Sequence, residues 1–195
     1  MRGARPTTLI LIKHARPAIV PTMPAPLWRL GDEGRRQCDA LADTLARWQP
    51  ELLIASEELK ASETAQLTAQ RLGVPWRTAP GLHEHDRSRT PYLSDDEAYR
   101  AQIRELFARP DEPVFGPETA GAALARFSAA LDDALASVTE RSVAVVTHGT
   151  VISLYVARRF GMDGYALWWR LGLPALVVTD APGLAEPLVV EQIGE

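Results

Sequence analysis

Two apolar runs of the sequence end in a histidine, and these residues are the ones best able to do chemistry. Leu9–Ile12 leads into Lys13 and His14, and Val143–Thr147 leads into His148. A short continuous apolar run is typical of a strand that is buried on both faces. In open α/β sheets ligands bind outside the carboxyl ends of the strands, so two central parallel strands would bring both imidazoles to one edge.

The pattern after His148 predicts a helix, and the N-terminal amides of a helix favour an anion. Two imidazoles, a lysine and a helix N-terminus at one edge of a sheet describe a phosphate site. For a single histidine, burial in the core would be the ordinary interpretation. Two histidines, each at the end of a strand, favour a role in function over simple burial in the core.

The remaining pattern supplies the elements that must position these residues. Further strands are predicted at 51–56, 74–79, 175–179 and 188–193. Helices are predicted from Gly31, with Asp32 as a plausible N-cap, at 58–72 with Gly73 as the stop, at 119–138, and after Gly149. Strands that alternate with helices indicate an α/β fold, with a mostly parallel central sheet between helices on both faces, a three-layer αβα arrangement.

A polar stretch rich in proline, aspartate and arginine separates two of these core elements. We expect residues 1–195 to form a single domain, with a lid or insert at about 83–118 that contains one helix after Ser94. Excursions of this length are often functional. Within it, Arg87 and Arg89 could reach an anionic substrate, or equally pair with Asp86 or solvent.

The composition excludes several functional classes. The formal net charge of -4 gives no basic surface for nucleic acid, and the apolar run that breaks at Lys13 is too short for a signal peptide or a membrane span. The single cysteine, Cys38, excludes an intramolecular disulfide and is compatible with a reducing cytoplasm. We therefore expect a cytoplasmic protein without nucleic-acid or membrane partners, whereas the sequence leaves its oligomeric state open.

Six segments, in order, resemble the motifs of the histidine phosphatase superfamily, also called the phosphoglycerate mutase-like family. "LIKHARP" resembles its opening R-H-G/A motif, and "LGDEGRRQCDAL" resembles L-[ST]-x-x-G-x-x-Q-A. "ASEELKASETA" resembles S-S-P-L-x-R-A-x-Q-T-A, and "GLHE" resembles L-x-E. "GPETAGAALARF" resembles G-E-S followed by an arginine, and "VTHGTVI" resembles S-H-G. The resemblance covers nearly the whole chain and implies the phosphoglycerate mutase-like fold.

The resemblance implies a role for each matching residue. His14 would be the nucleophile that becomes phosphorylated, and His148 would hydrogen-bond the transferred phosphoryl group. Lys13 and Lys60 would offset charge on its oxygens, and Glu84 would be the general acid and then the general base. Neither a metal nor another cofactor is required, because cationic side chains take the place of the metal.

Lysine stands in this chain where the family has both of its phosphate-binding arginines. Lys13 and Lys60 keep the positive charge but lose the planar fork that binds phosphate in two places. Arg16 could add a compensating phosphate contact. Glu84 and Lys60 could also be ordinary solvated side chains, and the "HEH" of residues 83–85 makes a metal site conceivable.

The resemblance implies a phosphoric monoester hydrolase that acts on a small phosphorylated substrate through a phosphohistidine. Two alternatives remain at this stage. A phosphoglycerate mutase would use the same site, although the substrate-gripping residues of family mutases are not found here. A non-catalytic protein would bind a phosphorylated ligand and form no phosphoenzyme.

Overall fold

The apolar runs become the strands of one six-stranded sheet in the computed structural model, which describes residues 6–194. The strands are β1 (Thr8–Lys13), β2 (Leu52–Ser56), β3 (Trp76–Ala79), β4 (Ser142–Thr147), β5 (Ala175–Asp180) and β6 (Leu188–Val190). The helices are α1 (Asp32–Ala46), α2 (Leu59–Leu72), α3 (Asp96–Ala108), α4 (Ala120–Leu135), α5 (Gly149–Phe160) and α6 (Gly164–Arg170). A short 3-10 helix lies at Ala25–Leu27.

The sheet is mostly parallel, with strand order β3-β2-β4-β1-β5-β6. The first four strands of the chain are mutually parallel. β5 runs antiparallel to β1, and β6 runs antiparallel to β5. β1 and β4 are therefore central neighbours, as the histidine argument requires.

Successive side chains of the central strands enter two separate cores. Leu11 packs with Phe127 of α4 on one face of the sheet, whereas Ile12 packs with Leu41 of α1 on the other. Helices α3 to α6 contribute to the first core, and α1 and α2 contribute to the second. Burial on both faces explains why these strands are continuous apolar runs, and it confirms the predicted three-layer αβα class.

The element boundaries correct two details of the prediction. Gly31, not Asp32, is the N-cap of α1, because its backbone is extended and Asp32 is already the first helical residue. Asp32 lies in the first turn, where its charge favours the helix dipole. Helix α6 was not predicted; Asp163 caps it by accepting a hydrogen bond from Ala166.

The polar excursion has no regular structure from residue 80 to residue 95 and then forms α3. It meets the proline-rich segment 17–30, since Tyr92 and Trp28 make an edge-to-face contact at 5.8 Å between ring centroids. Its role as a lid, and a single domain over 1–195, stay predictions, and residues 1–5 and 195 lie outside the described residues. Among residues 6–194, no helix combines the length and apolar character needed to cross a membrane.

Candidate active site

Parallel pairing of β1 with β4 brings the two histidines together. Lys13 pairs with Thr147, and the His14 N–H continues the ladder by donating to the Thr147 carbonyl at 3.1 Å. The imidazole centroids of His14 and His148 lie 5.2 Å apart in an edge-on arrangement. Both side chains are buried, with relative exposures of 7% and 0%.

The His14 ring is held in one orientation by its own backbone. Its Nδ1 lies 2.8 Å from the Ala15 carbonyl, which accepts a hydrogen bond, so the Nδ1–H tautomer leaves a lone pair on Nε2. The Ala15 N–H in turn donates to Thr64 Oγ1 at 3.1 Å. Burial, together with His148 and the Lys60 and Lys13 charges, holds the pKa of His14 well below its usual value. The ring is thus neutral at neutral pH, as a nucleophile must be.

His148 is the N-cap residue of α5 and projects from the end of β4. Its Nε2 lies 3.0 Å from Ser56 Oγ at the end of the neighbouring β2. Its Nδ1 is buried and has no hydrogen-bond partner among residues 6–194. Burial and the nearby Lys60 charge hold the pKa of His148 well below its usual value.

Lys13 lies across the start of α5. Its Nζ donates to the Leu171 carbonyl at 2.7 Å, and a Cβ on Gly149 would approach its Cε to 3.0 Å. The absence of a side chain at Gly149 therefore makes room for the lysine stem. Burial lowers the pKa of Lys13 to about 8, and the Glu84 charge partly opposes that shift.

Lys60 enters the same edge from the first turn of α2. Its Nζ pairs with Glu58 and donates to the Ala25 carbonyl of the proline-rich segment at 2.9 Å. The side chains of Lys60 and Glu58 are 7% and 8% exposed, so the pair is buried. Lys60 is thus not a solvated surface lysine.

The Glu84 carboxylate lies on the N-terminus of α5. It accepts hydrogen bonds from the backbone N–H groups of Thr150 at 3.1 Å and Val151 at 3.3 Å, which helix amides at this position offer to an anion. Burial alone would raise the pKa of this carboxyl, but Arg87, His148 and backbone N–H donors hold it below its usual value. Glu84 is therefore ionised at neutral pH, and it is not a solvated loop acid.

Arg16 is the one predicted site residue that the structure directs away from the others. Its Nε pairs with Glu33 of α1 at 2.9 Å, and its side chain is 51% exposed. It follows His14 by two residues, but its guanidinium is committed to a surface ion pair.

Two further charged residues lie at this edge: Glu58, which the sequence did not assign, and Arg87, which it named only together with Arg89. The Glu58 carboxylate accepts the Glu84 N–H at 2.9 Å and lies 3.6 Å from His148 Nε2. The Arg87 guanidinium lies 3.9 Å from the Glu84 carboxylate and over the rings of Tyr99 and Phe115. One feature of the sequence could have pointed to Glu58, because it stands where the family segment has leucine. Nothing in the neighbouring sequence distinguished Arg87 from the exposed Arg89.

Arg126 of α4 holds the backbone that carries Glu84. It donates to the carbonyls of Gly81 at 2.8 Å, His83 at 2.9 Å and Glu84 at 3.2 Å. The same guanidinium forms two bonds to the Glu118 carboxylate, at 2.8 and 2.9 Å. All five N–H groups of one arginine are thus used to hold the segment 81–84 and Glu118 together.

Replacing Arg126 by lysine should lower both stability and activity. An ammonium group has three donors and no planar fork, so carbonyls of the 81–84 segment would lose partners in a side-chain environment that is only 21% exposed. We expect the free energy of unfolding to fall by about 2–4 kcal/mol. Urea unfolding measures the loss, with Arg109→Lys on the surface as the matched control. Equal midpoints for the two variants would contradict this role.

The "HEH" segment does not assemble a metal site in the part of the chain that is described. His85 Nε2 lies 2.6 Å from the Glu118 carbonyl, and its ring stacks near Phe115. No group of three potential ligands from histidine, cysteine, aspartate or glutamate is found among residues 6–194. His85 therefore serves the loop around Glu118.

Comparison with known proteins gives a family match and several solved structures of the same fold. The model for the family described as histidine phosphatase superfamily (branch 1) matches residues 26–180. No curated protein matches the sequence.

Three solved structures illustrate the likeness. A mycobacterial glucosyl-3-phosphoglycerate phosphatase is 19% identical with a TM-score of 0.70, covering 96% of this chain and 98% of that one. The putative phosphohistidine phosphatase SixA from Agrobacterium tumefaciens is 18% identical with a TM-score of 0.59, covering 97% and 98%. A putative alpha-ribazole-5'-P phosphatase from Escherichia coli is 22% identical with a TM-score of 0.65, covering 96% and 97%. At these identities the likeness shows the fold.

Proposed function

Because the chain belongs to the histidine phosphatase superfamily, branch 1, we propose that it is a phosphomonoesterase that works through a phosphohistidine on His14. The family makes it a phosphatase-type hydrolase; the route and the residue roles are our proposal. The arrangement of His14 carries it, since the ring is held at Nδ1, neutral, and 5.2 Å from a second histidine at a strand end. In its first step the Nε2 lone pair attacks phosphorus, and the bond from phosphorus to the ester oxygen breaks.

The leaving oxygen must receive a proton, and Glu84 is the proposed donor. Bound phosphate would raise the pKa of its carboxyl by like-charge repulsion, so that substrate binding favours the protonated form. In the second step water gives a proton to Glu84 and attacks phosphorus, and the bond to His14 breaks. Inorganic phosphate and the starting enzyme result.

The charges that surround this centre suit a phosphoryl group. Lys13, Lys60 and Arg87 are cationic groups at this edge of the sheet. In phosphoryl transfer most of the catalysis comes from positioning and from electrostatic stabilisation of the equatorial oxygens. We propose a small phosphorylated metabolite as substrate, in keeping with the phosphatase names of the similar structures.

The direct test is hydrolysis of p-nitrophenyl phosphate by the purified protein, together with rapid acid-free quenching to trap the phosphoenzyme. We expect turnover and an adduct that is labile to acid and stable to alkali, which identifies phosphohistidine. Phosphate binding without any adduct would instead indicate a non-catalytic phospho-ligand protein.

A mutase would return the phosphoryl group of the same adduct to a second hydroxyl. Assaying the conversion of 3-phosphoglycerate to 2-phosphoglycerate with the bisphosphate primer separates the two reactions. We expect hydrolysis to dominate; robust conversion would replace the phosphatase assignment by a mutase.

Replacing Lys13 by arginine should retain or raise activity at neutral pH and extend it to higher pH. The lysine is charged below its pKa of about 8 and neutral above it, so kcat/KM of the wild type should fall as the pH rises through about 8. Arginine stays charged throughout and offers a fork to phosphate. A pH profile of kcat/KM from 6 to 10 measures the change. A folded variant that loses activity would show that the lysine has a specific role.

A further inference from the structure

We propose that Glu58 is a positioning residue that stabilises the imidazolium form of His148 when a phosphoryl group is bound. The inference rests on the proposed function, because it concerns the same phosphate pocket. It assigns a use to a buried carboxylate that the reaction steps above do not employ.

The Glu58 carboxylate is held from three sides. One oxygen, Oε2, pairs with Lys60 Nζ. The other, Oε1, accepts the backbone N–H of Glu84 at 2.9 Å and lies 3.6 Å from His148 Nε2. With 8% of its side chain exposed, Glu58 is screened little by solvent. Lys60 and the Glu84 N–H also hold the pKa of Glu58 below its usual value despite burial, so the group is anionic.

The two nitrogens of His148 have different surroundings. Nε2 faces Ser56 Oγ at 3.0 Å and the Glu58 carboxylate, whereas Nδ1 has no hydrogen-bond partner in the described part of the chain. A neutral ring with its hydrogen on Nε2 has none on Nδ1 to give to a phosphoryl oxygen. The Glu58 carboxylate beside Nε2 favours this tautomer over the one in which the Ser56 hydroxyl donates to Nε2. The imidazolium carries hydrogen on both nitrogens, so it can donate to phosphate from Nδ1 and keep its contact with Glu58.

Most of the charges around His148 oppose that protonation. The cationic or potentially cationic groups that face it are Lys60 of α2, His14 of β1, and Arg87 and His83 of the segment after β3. The anionic groups are Glu84 at the N-terminus of α5, whose charge already raises the pKa of His148, and Glu58, which lies 3.6 Å from its Nε2. Glu58 is therefore the negative charge beside Nε2 that can offset the imidazolium when phosphate arrives.

A first experiment compares kcat against pH for the wild type and Glu58→Gln with p-nitrophenyl phosphate. The kcat profile reports ionisations in the substrate complex. On the alkaline side of this profile, kcat should fall as His148 loses its proton. We expect this fall about one pH unit lower in the variant, the size of shift that an opposite charge at this distance produces. KM should not rise, because loss of the carboxylate leaves Lys60 free for phosphate. Glu57→Gln, at the exposed neighbouring position, is the matched control.

A damaged fold would give a different pattern, with a raised KM and a lowered melting temperature. Glu58→Asp is the second variant, since it keeps a carboxylate but withdraws it from His148. The alkaline pH at which its kcat falls should lie between the values for the wild type and Glu58→Gln. If kcat falls at the same alkaline pH in all three proteins, the inference is overturned.

A second experiment reads His148 directly and does not depend on turnover. Nitrogen-15 NMR of histidine-labelled protein, saturated with inorganic phosphate, gives the pKa of His148, assigned by the loss of its signals in His148→Asn. We expect a value about one unit lower in Glu58→Gln than in the wild type. Equal pKa values of His148 in the wild type and Glu58→Gln would contradict the inference, even if the phosphohistidine is found. Absence of the adduct with the shift present would sink the proposed function alone.

Discussion

Replacing His14 by alanine should reduce kcat for p-nitrophenyl phosphate by at least about 1,000-fold and abolish the acid-labile adduct. The reason is chemical: without Nε2 the reaction loses its covalent intermediate, and water must attack phosphorus directly in a pocket built around an imidazole. The remaining cations would still bind phosphate, so KM should change far less than kcat. Single-turnover kinetics with radiolabelled substrate measure both quantities.

His83→Ala is the matched control for this variant. It removes a partly buried histidine that faces His148 but neither attacks phosphorus nor transfers a proton in the proposed steps. Melting temperatures should show that both variants are folded. Should His14→Ala hydrolyse the substrate at the wild-type rate, the phosphohistidine route is wrong.

Replacing Glu84 by glutamine should have an effect that depends on the leaving group. An amide cannot donate the proton that a poor leaving oxygen needs, so kcat/KM for phenyl phosphate or an alkyl phosphate should fall by about 100-fold or more. p-Nitrophenolate leaves without a proton, so its kcat/KM should fall by less than about 10-fold. We compare kcat/KM because it reports the steps up to release of the alcohol.

The glutamine oxygen can still accept a hydrogen bond from one of the two amides, Thr150 or Val151, so the start of α5 keeps one of its two contacts with this side chain. The activated substrate serves as the internal control. Equal losses for both leaving groups would show that Glu84 positions the site and does not protonate the leaving oxygen.

The positions of the residues at strand ends could be predicted from the hydrophobic pattern and from the topology of parallel α/β sheets alone. Continuous apolar runs identify central strands, and parallel neighbours end at one edge, which brings His14, Lys13 and His148 together. Lys60 and Glu84 lie on a helix start and a loop, where no periodicity indicates direction. Their prediction depended on the ordered motifs of the family.

The residues that escaped prediction are those whose direction is set by contacts between distant segments. Glu57 and Glu58 are identical in type and adjacent, yet one is exposed and the other lies between Lys60 and His148. Arg87 is selected over Arg89 by the rings of Tyr99 and Phe115, which the sequence cannot place. The direction of Arg16 is likewise set by a contact with another element, since its partner Glu33 lies on α1.

The pairing of the first strand has a consequence for how the protein is made. Both neighbours of β1 are distant from it in sequence, since β4 begins at Ser142 and β5 at Ala175. The Lys13 ammonium likewise donates to the carbonyl of the distant Leu171. Contacts of such sequence separation form late, after loop closure over more than a hundred residues. During synthesis, Lys13 leaves the ribosome 158 residues before its partner Leu171. The candidate active site can therefore assemble only after Leu171 and the strands around it have been synthesised.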